Sequence, residues 1–353
     1  PYIFKISLRY NTSLRSEFEQ IESKYKSNKL NKPLSSFFGV IEKDTKRTKI
    51  RPLLIDNSNI NVNQLRAVYN AINRNVVFIQ GPPGTGKTVS IVNMVHSCLF
   101  NNESTLITSN NNEAINNIVS KLSNLSFNNV PIRYPFLRLG SDENIQMTLR
   151  NLSDNLKYFE LIKFTDEDKE RLYDLEYEVN ENMKYVNEIL EKYETRLELE
   201  QKINGLQNFI KLIEEDNEID EFTKEGNKID FEAQIFRHSE KLKQTIDKSE
   251  LENLKLDSSH SYEIIYYLSL EYGKKLFEEK YSHLRVILNI QDEVVRLKEF
   301  KSYIISDDGI KRLLECFPII LSTNVSSSKL GTSNSYFDLL IMEEASQCGN
   351  AVS

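Results

Sequence analysis

No run of apolar residues in this chain approaches the roughly 18 that a membrane-spanning helix needs, and the first residues carry no signal-peptide pattern. The expectation is a soluble, cytoplasmic protein that touches no membrane. Cysteine is scarce, and Cys98, Cys316 and Cys348 are scattered without C-x-x-C spacing, so neither a disulfide framework nor a zinc site is expected. His96, His238, His260 and His283 form no metal-ligand pattern. Glycine and proline all but vanish between about residues 145 and 315, which argues against a turn-rich sheet across the middle of the chain.

With 353 residues, 39% hydrophobic and 27% charged, the chain is long enough for two domains, or for one domain carrying a large insertion. The net charge of −7 is unevenly spread. Residues 141–315 hold 26 basic and 41 acidic side chains, and the remainder holds 19 and 11. Residues 1–56 carry 12 basic against 6 acidic groups, with Lys43, Lys46, Arg47, Lys49 and Arg51 in one stretch. This asymmetry suits a body that meets a polyanion while an acidic arm stands clear of it.

The most informative segment is Gly81-Pro82-Pro83-Gly84-Thr85-Gly86-Lys87-Thr88, the G-x-x-x-x-G-K-[ST] loop that holds a nucleoside triphosphate. Its glycines let the backbone curl around phosphate oxygens with successive N–H groups pointing inward. Lys87 then reaches the β- and γ-phosphates, and the Thr88 hydroxyl takes a place on Mg²⁺. A buried strand is predicted before the loop, at Asn75–Gln80, and a helix after it, at Val89–Leu99, whose N-terminus adds partial positive charge.

Alternation at the strand period predicts strands at Ile3–Tyr10, Phe37–Ile41 and Ile50–Ile55, making residues 1–55 a β-containing lead-in. A helix opening near Asn61–Asn63 is expected to bury Leu65, Val68, Tyr69 and Ile72. A strand at Ser104–Ser109 and a helix over Glu113–Leu122 follow, so residues 56–140 read as the first part of a parallel α/β sheet with crossover helices. Between 141 and 315 apolar residues recur three and four apart, from Leu172, Leu175, Val179 and Met183 through Leu199 to Ile213, which is heptad spacing. A long antiparallel hairpin or small bundle, separable from the nucleotide-binding core, is predicted there. Sheet pattern returns in residues 316–353, at Pro318–Ser322 and Phe337–Met342. The second of these strands ends in Glu343-Glu344, where carboxylates at the C-terminal edge of a parallel sheet hold Mg²⁺ and orient an attacking water.

Gln64, the loop Gly81–Thr88, Ser109 to Ile115, Arg138-Leu139-Gly140, Ser322-Thr323-Asn324 and Glu343 to Gln347 stand in an order that resembles the superfamily 1 helicases. The nearest branch by this likeness is the one containing senataxin and the RNA-surveillance helicases. The likeness covers residues 60–140 and 316–348 and leaves out the helical middle. It implies a RecA-like P-loop domain, α/β with a parallel sheet interrupted by the helical insertion. It also implies that Gln64 reads adenine, that Glu344 is the catalytic base, that Glu343 sits on the Mg²⁺ side, and that Gln347 links hydrolysis to strand binding. Ser109, Asn112, Thr323 and Asn324 fall in segments that touch the backbone of single-stranded nucleic acid, RNA or DNA, in such enzymes. ATP and Mg²⁺ are the implied cofactors.

Two departures qualify the likeness. Glu343-Glu344 replaces the usual Asp-Glu, lengthening the metal-side carboxylate by one methylene. Ser353 follows soon after, so a fragment without the second RecA-like lobe and its arginine finger is expected, binding ATP better than it hydrolyses it. The insertion is read as a prong that guides either the strand or a protein partner. Three other readings stay open: a chromosome-maintenance or repair ATPase, a hexameric ring ATPase, and a nucleotide-gated scaffold. The stretch Ser326–Thr332 lacks the Leu-Ser-Gly-Gly signature of the first, and the 257-residue gap between Lys87 and Glu344 argues against the second.

Overall fold

The computed structural model describes residues 11–39, 50–56, 59–82, 84–216, 218–331 and 336–345. The strand predicted at Ile3–Tyr10 lies outside them. The lead-in is mostly helical over residues 11–39, with α1 at Asn11–Lys26 and α2 at Lys32–Phe37, so the strand expected from Phe37 is replaced at that residue by a helix end. Residues 50–55 form no strand either, although Leu53, Leu54 and Ile55 are buried. The helix that follows the phosphate loop supplies the reason. Asn93, Ser97 and Asn101 recur at four-residue spacing on one face of it and bond the extended backbone as a neighbouring strand would. Asn93 Oδ1 accepts from Asp56 N at 2.9 Å, Ser97 Oγ accepts from Leu54 N at 3.0 Å, and Asn101 Nδ2 donates to Pro52 O at 2.8 Å.

Helix α3, Val62–Asn73, starts in a capping box: Asn61 accepts from Gln64 N while the Gln64 side chain accepts from Asn61 N. As expected, its Leu65, Val68, Tyr69 and Ile72 are buried. The buried strand predicted at 75–80 does not form: these residues join no sheet among the described residues, and Phe78 is 83% exposed. Then come α4 at Lys87–Phe100, β1 at Thr105–Ser109, α5 at Asn112–Ser123, a two-stranded ribbon of β2, Ser126–Phe127, and β3, Val130–Pro131, and β4 at Phe136–Arg138.

The helical middle comprises α6 at Asp142–Leu161, α7 at Asp166–Glu215, α8 at Glu221–Leu242, α9 at Lys248–Glu252, α10 at Ser261–Lys275, α11 at Ser282–Leu288, α12 at Glu293–Ile305 and α13 at Asp307–Cys316. The 50-residue α7 runs about 75 Å at the α-helical rise. It opens in a capping box between Thr165 and Asp168, with Asp166, Glu167 and Asp168 set against the positive end of the helix. The chain returns to the sheet through β5, Ile319–Thr323, the short α14, Asn324–Ser327, and β6, Leu339–Glu343.

The four-stranded sheet runs β4-β5-β1-β6 with every pairing parallel. Side chains alternate between its faces at the strand period. Leu137 and Ile320 point into one core, built with α6 and α11 to α13, and Ile107, Ile319 and Leu321 point into another, built with α4, α5, the start of α7, and α10. A third core joins Leu53, Ile55 and α3 to the back of α4 and to Met183, Val186 and Leu190 of α7. The insertion is therefore not the separable arm that its charge and heptads suggest. Helices α6 and α11 to α13 pack on one face of the sheet, α10 and the start of α7 pack on the other, and the stretch beyond Leu199, with the whole of α8, buries no side chain. Nor does all of its acidity stand clear. Arg66 Nε meets Glu194 Oε1 at 2.6 Å, Tyr69 Oη donates to Glu191 at 2.7 Å, and Arg74 meets Glu198 at 3.2 Å, clasping α7 to α3.

Candidate nucleotide and strand site

Parallel register puts Ser109, Thr323 and Glu343 in one row at the carboxyl ends of β1, β5 and β6. This is the edge at which open α/β sheets bind ligands. The phosphate loop lies at the same end, because Lys87 is close enough to Glu343 to influence its ionisation.

Each glycine of the loop that can be judged is needed for a different reason. Gly84 and Gly86 have φ of 81° and 82°, in the left-handed region. A Cβ on Gly81 would come within 2.7 Å of Thr85 Oγ1, which itself donates to Pro82 O at 2.8 Å. A Cβ on Gly86 would come within 2.2 Å of Gln64 Nε2. Gln64 lies against the loop, donating from Nε2 to Thr85 O at 3.0 Å while its Oε1 accepts from Asn61 N at 3.1 Å. One amide hydrogen and one lone pair then remain for a base. Lys87 folds over the loop, its Nζ donating to Gly81 O at 2.7 Å and Pro82 O at 3.2 Å. Thr88 is half-buried in the first turn of α4. Pro83 and Gln347 lie outside the described residues.

Burial pushes the Glu343 carboxyl above the usual glutamate range; the Lys87 ammonium pulls it back, and Glu344 pushes it further up. A raised folded-state pKa makes ionised Glu343 a cost that is absent at low pH and grows as pH rises through the folded value. Glu343→Gln is therefore expected to raise the melting temperature at about pH 8 and to leave it nearly unchanged near pH 4.5, the ordinary glutamate value. Scanning fluorimetry across that range checks this, and parallel curves for parent and variant would contradict it. Glu344 follows directly with φ of 54°, a left-handed backbone that a non-glycine residue holds only when its surroundings impose it.

On the other half of the edge, Arg138, a motif residue to which the sequence reading gave no role, is a bridge. Its buried guanidinium donates from Nη2 to Asn112 Oδ1 at 2.7 Å and from Nη1 to Leu139 O at 2.8 Å, and burial lowers its pKa. Gly140 has a φ of 140°, which side-chain-bearing residues rarely adopt, and it lies near Ser326. Asn112 is exposed and held by Arg138, whereas Ser109 is fully buried and accepts from Asn111 N at 3.1 Å. Thr323 caps α14 by accepting from Ser326 N at 3.4 Å and bonds Ser326 Oγ at 3.0 Å, with Asn324 beginning that helix. The pairing Asn112–Arg138 could not be read from spacing, because burial and strand order decide it.

A family described as "AAA domain" matches residues 59–352. The chain belongs to this family. Over 79 residues it is 37% identical to the DNA polymerase alpha-associated DNA helicase A of Saccharomyces cerevisiae, a match spanning 22% of this chain and 12% of that protein. Over 85 residues it is 33% identical to the protein of the same name in Schizosaccharomyces pombe, spanning 24% of this chain and 12% of the relative. The chain thus matches only a small part of each relative's length. With the motif order, these findings mark a superfamily 1 helicase motor domain on a RecA-like α/β fold. No helix among the described residues is long and apolar enough to cross a membrane.

Proposed function

We propose that this chain binds ATP with Mg²⁺ at the Gly81–Thr88 loop and couples its hydrolysis to movement on single-stranded nucleic acid. The observation that carries the reading is the shared sheet edge: Glu343 within the electrostatic reach of Lys87 on one side, and Asn112, Thr323 and Asn324 at the ends of neighbouring elements on the other. The donor set suits Mg²⁺. Thr88 and Glu343 offer hard oxygen atoms, and no cluster of three or more His, Cys, Asp or Glu among the described residues could cage an ion alone. That matches an ion held by few protein ligands and completed by phosphates and water. When bound, it would neutralise charge developing on the phosphates.

In this reading Lys87 exchanges the carbonyls of Gly81 and Pro82 for phosphate oxygens, and loop N–H groups hold the remainder. Glu344, fixed by its strained backbone, takes the proton of the attacking water. Gln64 uses its remaining hydrogen and lone pair on adenine, so a preference for ATP over GTP is expected. Asn112, Thr323 and Asn324 bond the strand backbone without reading bases, Ser109 shapes the turn beneath them, and Gln347 links the two halves. The family match favours this reading over a repair-type ATPase or a scaffold.

Titrating a fluorescent single strand tests it. Mg-ATP is expected to change strand affinity about fivefold or more, as coupled sites require, and the affinity should fall steeply with salt. Identical strand affinity with and without Mg-ATP, or equal affinity for ATP and GTP, would remove the coupling or the Gln64 role respectively.

A further inference from the structure

Helix α8 carries two apolar faces, and only one is used within the described residues. Lys228, Phe231 and Ile235 turn inward, where Lys228 pairs with Glu214 of α7 at 2.6 Å and the Phe231 ring lies 6.3 Å from that of Phe209. On the opposite side Phe222, Gly226, Ile229, Ala233 and Phe236 follow one another at spacings of four, three, four and three. That is the seam of a coiled coil. All five are exposed: Phe222 is 88%, Ile229 61% and Phe236 67% accessible, and a Cβ added at Gly226 would meet nothing within 4 Å.

The seam alternates large knobs with small residues, so Gly226 and Ala233 form holes that a facing helix must fill with bulky side chains. A second copy of this chain is a poor occupant. In parallel register Gly226 would face Gly226 across a void, and Glu225 would approach the Asp230 of its twin while Glu232 meets Arg237; in antiparallel register Glu225 would approach Glu232 while Asp230 meets Arg237. A partner with cations beside its seam keeps no such like-charge contact with Glu225, Asp230 and Glu232, so it is preferred to a second copy. Glu225 and Glu232 line one side of the seam, and Asp230, with Arg237, lines the other. This acidic border is equally unsuited to a phosphate backbone.

We propose that the outer face of α8 docks an amphipathic helix of another protein, apolar along its seam and lysine- or arginine-rich beside it. The proposal is independent of the reading of the nucleotide site. Its chemistry is that of helix-in-groove recognition, with Phe222, Ile229 and Phe236 as anchors and the acids choosing the partner.

The test uses the full chain and two labelled four-heptad peptides with leucine along the seam, one flanked by lysine and the other by glutamate. Fluorescence anisotropy is expected to show binding of the lysine-flanked peptide, at least about tenfold weaker binding of the glutamate-flanked one, and at least about tenfold loss in an Ile229→Asp variant. The side chain is exposed, so the fold should survive, which circular dichroism verifies. The substitution adds an acid, so attraction by charge alone would tighten binding instead. Unchanged or tighter binding by Ile229→Asp, or no binding of either peptide, would overturn the proposal. So would self-association of the parent chain that Ile229→Asp abolishes, since a second copy would then own the face. Binding of a labelled single-stranded oligonucleotide to the parent chain that Ile229→Asp weakens at least about tenfold would assign the face to nucleic acid and overturn it as well.

Discussion

Replacing residues 150–310 by a short linker is expected to yield an insoluble chain with no nucleotide affinity. Twelve of the side chains that bury the Leu137 and Ile320 face of the sheet lie in that segment, among them Leu284 and Phe300, neither of which is exposed at all. Even at about 1.5 kcal/mol for each buried side chain, their loss exceeds the ~5–15 kcal/mol by which a whole domain is stable. A narrower deletion makes the contrast. Replacing residues 202–240 by a four-residue turn removes no buried side chain, since α7 has none beyond Leu199 and α8 has none at all. That variant should express in soluble form, melt within a few degrees of the parent and keep its affinity for Mg-ATP. Solubility, thermal melting and nucleotide titration on the two deletions decide the matter, and a soluble, nucleotide-binding 150–310 deletion would mean that the sheet closes its core without these helices.

The same contrast explains which parts of the architecture were legible in the sequence. Strands β1, β5 and β6 announced themselves as apolar runs bounded by polar turns, and the start of α3 was placed near Asn61–Asn63. Those signals are local. The heptads of α7 were read correctly as helical, but periodicity says only that a face is buried, not against what. Leu172 and Leu175 turn toward the sheet's core and Met183 and Val186 toward α3, so a regular stripe serves two different packings. Residues 50–55 misled for a related reason, because their backbone groups are met by Asn93, Ser97 and Asn101 across about forty residues of chain rather than by a strand. Counting charges likewise missed that Glu191, Glu194 and Glu198 pair with residues of α3 and its C-terminal end. At the candidate site, the motif spelling includes Ser109, Thr323 and Glu343, which stand in one row at the sheet edge. It could not disclose that the Gln64 amide is already bonded to Thr85, or that Arg138 holds Asn112, because both depend on approaches between distant segments.

Lys87→Ala is expected to weaken Mg-ATP binding by about 10- to 150-fold, the equivalent of the ~1.5–3 kcal/mol carried by a hydrogen bond to a charged group. The fold should survive, because the ammonium it removes is bonded to the loop carbonyls of Gly81 and Pro82 rather than to the core. A second consequence follows at Glu343. Without the neighbouring cation its carboxyl rises still further, so Mg²⁺ must displace a proton more often and the variant's affinity should depend more steeply on pH. Gly86→Ala separates loss of a charge from loss of loop shape. Its Cβ would enter the space of Gln64 Nε2 and would sit at a φ of 82°, so both the loop and its link to α3 must shift, lowering the melting temperature together with the affinity. Calorimetric titration with Mg-ATP beside thermal melting of both variants distinguishes the two. Unchanged affinity in a folded Lys87→Ala chain would mean that the loop does not hold the triphosphate through this side chain, and Glu343 would then lack the partner on which its role in the site rests.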